Sequence, residues 1–215
     1  LELSAEQKEN DIDSKVSLRR IQTLTDCAFA LALMLMVVFI EKPPDDMKPT
    51  EENIRKYLFG QGDVLTAYFI TFMNISFYWF FSHNQSKYLR RSDGIHVCLT
   101  VLSLMFIGLM PFSNALSVVF PESLTVHIFY SCVVFLVGSV FCLDCLYALL
   151  KGRLFDRSTN HGAVEELIVE SLVQPGAAIL SLCGAFISKF WWEFPFMLVP
   201  FAVFVISRLR KRIKA

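Results

Sequence analysis

Charge along this chain leaves long gaps, and the gaps decide what it can fold into. Setting tyrosine and cysteine aside, the only ionisable residue from Ile21 to Ile40 is Asp26. Val64 to Ser86 holds only His83, and Gly94 to Phe120 only His96, near its start. Leu124 to Leu150 holds His127 and Asp144, Leu167 to Ser188 holds Glu170, and Phe190 to Ser207 holds Glu193. A helix needs roughly 20 mainly apolar residues to cross about 30 Å of hydrocarbon. The last gap is the shortest and is interrupted by Pro195 and Pro200, which membrane helices tolerate when neighbours satisfy the freed carbonyls. The expected fold is all-α: a six-helix transmembrane bundle forming a single domain over residues 1–215. Its helices are expected over approximately 18–40, 64–89, 94–120, 124–150, 165–188 and 190–208.

Composition agrees. Hydrophobic residues make up 54% of the 215, with 21 Phe, and the mean hydropathy is +0.50. Twenty basic residues balance twenty acidic ones, so no bulk field attracts nucleic acid. The six Cys sit inside apolar runs, which rules out a secreted disulfide scaffold. An acidic, polar stretch from Glu2 to Asp13 precedes the first span, and no cleavable signal peptide is expected.

Orientation follows from Lys and Arg in alternate loops. Lys8, Lys15, Arg19 and Arg20 begin one side; Lys87, Arg90, Arg91, Lys151, Arg153, Arg157 and the tail from Arg208 to Lys214 complete it, 15 residues in all. The other side has 5: Lys42, Lys48, Arg55, Lys56 and Lys189. This bias predicts both termini in the cytoplasm, with Trp191 and Trp192 at the outer interface. The longest loop, Glu41 to Asp63, contains Thr50-Glu51-Glu52, which predicts a capped short helix reaching about Phe59. With loops this small, function is expected among side chains on the helices.

An ionisable residue inside a span is costly and is a functional candidate by default. Asp26 lies about one turn inside the first helix. Arg20, six residues earlier, is rotated from it by roughly 120° but is long enough to reach a neighbouring carboxylate. His83 lies at a similar depth in the second helix, and Trp79 shares its face one turn away. Asp26, Trp79 and His83 are therefore expected to meet, either as a polar cluster locking two helices or as part of a conduction path. Leu31, Leu35 and Val38 form an apolar stripe with Met34 beside it, about 140° around the axis from Asp26. That stripe is expected to face lipid or a neighbouring subunit.

The run Arg20-Ile21-Gln22-Thr23-Leu24-Thr25-Asp26 resembles the Arg-x-x-x-Phe-Ser-Asp signature of the transmembrane protein 175 family of potassium channels. Ala28 to Leu33 is similar to the family's small and apolar continuation. Trp79 with His83-Asn84 resembles its Trp-x-x-x-His motif, and Pro111-Phe112 a further mark. The resemblance implies a homotetramer around a central pore lined by the first helix, without the carbonyl-lined re-entrant filter loop of ordinary potassium channels. It implies that Leu31 forms the main constriction, with Leu35 and Val38 as further rings, and that Arg20, Thr25, Asp26, Trp79 and His83 anchor the pore helix. The permeating ion would be K+ or another monovalent cation, and the location the lipid bilayer of a prokaryotic plasma membrane. Leu24 and Thr25 stand where the family has Phe and Ser. Met34 stands where it commonly has Thr, and a thioether does not coordinate a hard cation as a hydroxyl does.

A different reading is a proton-conducting channel or transporter using Asp26, His83 and Asp144. No His-x-x-x-His, Gly-x-Ser-x-Gly or nucleotide loop occurs, so neither an enzyme nor a cofactor is expected. Cys142 and Cys145 flank Asp144 like half a zinc site, but no second pair exists, and Asp144 is expected to pair with a neighbouring helix instead. Cys27, Cys98, Cys132 and Cys183 are expected as small apolar fillers, and His96 and His127 as interfacial. Glu41, Asp45 and Asp46 are expected in a solvated loop or an acidic outer mouth. The basic tail is expected to touch anionic lipid headgroups or to act as a stop signal.

Overall fold

A computed structural model describes the backbone of residues 2–40, 42–150, 154 and 161–213, and side chains of 16–40, 42–149, 154, 167–203 and 205. It contains seven α-helices among these residues, and no strand: α1 (Glu2–Val38), α2 (Glu51–Gly60), α3 (Gly62–Ser86), α4 (Gly94–Val119), α5 (Leu124–Leu150), α6 (His161–Ala185) and α7 (Lys189–Ile213). Five of them, α1 and α3 to α6, contain stretches long and apolar enough to cross a membrane. The extra helix is α2, where Thr50 caps as its sequence predicts, accepting from the Asn53 amide. Helix α1 starts well before residue 18, since residues 2 to 15 include neither Gly nor Pro. The α3 helix ends three residues early, at Ser86, and α6 runs from 161 to 185 rather than 165 to 188.

Two stripes share α1. Leu18, Ile21, Thr25, Phe29, Ala32 and Met36 are buried, at steps of three and four that keep one face toward the bundle. That face packs chiefly against α3 and α4. Leu24, Leu31, Met34, Leu35 and Val38 lie on the other side and are exposed, Leu31 at 65% and Val38 at 73%. Helices α4, α5, α6 and α7 pack in sequence order, each against the next.

Small residues set the closest approaches. A Cβ on Gly138 of α5 would lie 2.7 Å from Pro175 Cδ of α6, and one on Gly184 would run into the Trp191 carbonyl of α7. Polar side chains tie the helices across the apolar core. Thr71 donates to Asn114 or pairs with the Tyr130 hydroxyl (3.0 and 2.7 Å), Gln174 donates to Asn74 (3.2 Å), and Tyr78 donates to the Val134 carbonyl (2.7 Å).

Candidate functional site

Where α1 meets α3, Trp79 Nε1 donates to Asp26 Oδ1 at 2.9 Å. His83, one turn further along α3, stacks on the Trp79 ring with centroids 5.6 Å apart and planes 21° apart. Asp26, Trp79 and His83 thus come together, linked by the indole rather than by a direct carboxylate–imidazole bond. Thr25 is buried beside them and donates to the Ile21 carbonyl at 2.8 Å, turning its hydroxyl back onto its own helix. Arg20 is exposed and forms no ion pair with Asp26. The 120° separation wins over side-chain length.

Behind this cluster is a cavity of about 250 Å³ between α1, α3, α4 and α5. Asp26 and His83 line it from one side, and His96 and Asp144 from the other. His96 Nδ1 lies 2.6 Å from Asp144 Oδ1, and Gln85 Nε2 donates to Asp144 Oδ2 at 2.9 Å. Gln85, His96 and Asp144 are all buried. A buried carboxylate is tolerated only when its oxygens are hydrogen-bonded, and both oxygens of Asp144 are. Asp144 therefore pairs with neighbouring helices as its sequence context predicts. His96 corrects its sequence-based placement: it is 4% exposed and sits inside the bundle rather than at the interface. The Asp93 side chain caps α4 by accepting from the His96 amide, which fixes where the ring starts. Among the described residues, no group of three or more His, Cys, Asp or Glu is gathered to hold a metal.

His127 also lies inside, stacked on Trp192 with centroids 4.1 Å apart, its Nε2 3.0 Å from the Pro121 carbonyl. Trp191 is exposed, while Trp192 is buried and donates to Ser131 at 3.0 Å, so only one of the two lies at the surface. Cys27, Cys98, Cys132 and Cys183 point out of the bundle instead of filling it; Cys145 is the buried one. Asp45 and Asp46 are exposed in the loop after α1, whereas Glu41 lies outside the described residues. So do the side chains of Lys8, Lys15, Lys151, Arg153, Arg157 and the 208–214 tail.

Sequence reasoning missed Gln85 and the cavity. Gln85 continues the spacing of Asn74, Tyr78 and Phe81 on the buried face of α3, a legible signal. The His96–Asp144 pair joins residues 48 apart and has no local signature.

Long apolar helices tied internally by buried polar side chains define a multi-pass integral membrane protein. Residues 20–111 match the family described as the endosomal/lysosomal potassium channel TMEM175. This is a family of ion channels, not enzymes. Curated relatives include the endosomal/lysosomal proton channel TMEM175 of Bos taurus, 25% identical over 94% of this chain and 46% of the relative. The Gallus gallus protein of the same name is 27% identical over 70% of this chain and 31% of its own length. The chain thus spans about half, or less, of these relatives. The fold is similar to the crystal structure of a lysosomal potassium-selective channel TMEM175 homolog from Chamaesiphon minutus. That likeness has a TM-score of 0.72 and 21% identity, and covers 86% of this chain and 96% of that one. A single-residue variant of the potassium channel MtTMEM175, crystallised with a nanobody fusion protein, matches at a TM-score of 0.58 and 18% identity, over 90% and 93%.

Proposed function

We propose that this chain is a subunit of a homotetrameric cation channel, conducting potassium through a central pore lined by α1. In this reading six helices span the membrane, α7 being the sixth. Both termini are cytoplasmic, and the membrane is a prokaryotic plasma membrane. One observation carries the reading: α1 is held to its own bundle by one stripe while Leu31, Met34, Leu35 and Val38 stay uncovered on the opposite face. In a fourfold assembly those side chains would project toward a shared axis. A ring of four leucines narrow enough to shed water closes a pore by dewetting. Leu31 is the main constriction, with Leu35 and Val38 as further rings. The Asp26–Trp79–His83 cluster, with Thr25 behind it, is the anchor that α1 moves against, and Arg20 precedes it. Reconstituted in liposomes, the protein should pass potassium, and Leu31→Ala should raise the flux severalfold. A silent wild type together with a silent Leu31→Ala variant would sink the proposal.

A second reading is favoured by the His96–Asp144 pair on the cavity that Asp26 and His83 also line. These groups could carry protons, and relatives bear the name of proton channels. Under that reading His83→Ala abolishes flux driven by a proton gradient; under the potassium reading it alters gating and leaves conduction in place.

A further inference from the structure

We propose that the cavity between α1, α3, α4 and α5 is a binding site for a small protonated primary amine. His96 turns Nδ1 to Asp144 Oδ1, so Nε2 is the ring nitrogen left to offer, and it is an acceptor in the tautomer that carries its hydrogen on Nδ1. Gln85 gives its amide nitrogen to Asp144, which leaves its carbonyl Oε1 as an acceptor. Among the described residues, neither Gln85 Oε1 nor His96 Nε2 has a hydrogen-bond partner. Both belong to side chains more than nine-tenths buried that line this cavity, with Gln85 at 3% exposure. The hydroxyls follow the same pattern. Thr25, Ser86 and Thr100 each spend their hydrogen on a carbonyl of their own helix, so lone pairs are what they have left to offer. Asp26 adds a carboxylate whose Oδ1 alone is engaged, by Trp79. Among the described residues no Lys or Arg lines the space, while Gln22, Ser82 and His83 bring hydrogen-bond donors to part of the wall.

The acceptors of Gln85, Asp26 and the helix-bonded hydroxyls suit a cation rich in donors. An alkali ion takes oxygen ligands and gains little from an imidazole nitrogen, and the ligand set for a transition metal is missing among the described residues. An ammonium group has a charge and three N–H donors, which can be shared among Gln85, His96 and Asp26. Leu18, Leu89 and Phe141 supply an apolar wall for a short alkyl chain. Occupancy would bridge α1 to α3 and α4.

The inference stands apart from the channel reading and is tested by binding alone, so either can fail without the other. The purified full chain in detergent is titrated calorimetrically with ethylammonium chloride at mildly alkaline pH, above the range in which imidazoles ordinarily protonate. Saturable binding at one site per chain is expected. Tetramethylammonium, which has the charge but no N–H, should bind at least ~10-fold more weakly, since buried acceptors left unpaired are costly. Gln85→Leu should weaken ethylammonium by a similar factor. The comparison of the two cations needs no variant, so it decides the question even if Gln85→Leu fails to fold. Absence of saturable ethylammonium binding, equal affinity for the two cations, or a folded Gln85→Leu protein with unchanged affinity would each overturn the proposal.

Discussion

His96 and Asp144 show how much a single residue's meaning depends on what it touches. Each is an isolated polar side chain in an apolar helix, and together they satisfy one another inside the bundle. Removing one partner strands the other, and breaking a buried pair costs more than replacing both members with apolar groups. His96→Leu should therefore destabilise the protein by about 3 kcal/mol in reversible unfolding from detergent. The double variant His96→Leu with Asp144→Leu should recover much of that loss. If the double variant is no better than the single one, the two residues are not a coupled pair.

At the level of elements, glycine positions separate helix faces that pack from faces that do not. Gly184 and Gly138 sit where α6 meets α7 and where α5 meets α6, and a methyl group at either would meet atoms already in place. At Gly184 the obstacle is backbone, which cannot swing aside as a flexible side chain can. Gly184→Ala should lower the unfolding midpoint by the equivalent of about 1–3 kcal/mol, the usual range for overpacking. Gly108→Ala on α4 meets nothing within 4 Å, and should be neutral or stabilising because alanine is the better helix former. A thermal-unfolding series of the Gly138→Ala, Gly184→Ala and Gly108→Ala variants, with Gly108→Ala ranking highest, checks the packing order of the bundle.

For the whole molecule the question is what covers the outer stripe of α1. Lipid would satisfy those side chains as well as a second chain would, because hydrocarbon is as apolar as leucine. The tetramer proposal predicts that Val38→Cys, in a background where the six native cysteines are replaced, forms disulfide-linked dimers on oxidation in the membrane. Ile187→Cys, exposed in the turn between α6 and α7, serves as the control that should stay monomeric. Equal cross-linking at both positions, or at neither, would argue against a shared axis beside α1.

What the sequence determined by itself is whatever the bilayer imposes on any chain. Gaps in charge measure the hydrocarbon thickness, so the long helices and the Thr50 cap of α2 were legible from residue order. The outer stripe of α1 was legible in the same way, since a period of 3.6 residues sorts side chains before any neighbour exists. Only the tertiary structure decided which polar residues meet. The His96–Asp144–Gln85 cluster draws on three helices, His127 went inside to stack on Trp192, and Arg20 stayed away from Asp26. In a medium that hydrogen-bonds nothing, a polar side chain must find a partner, but helical periodicity gives only its direction. Its partner is fixed by helix rotation and depth, which depend on packing contacts between helices such as those at Gly138 and Gly184.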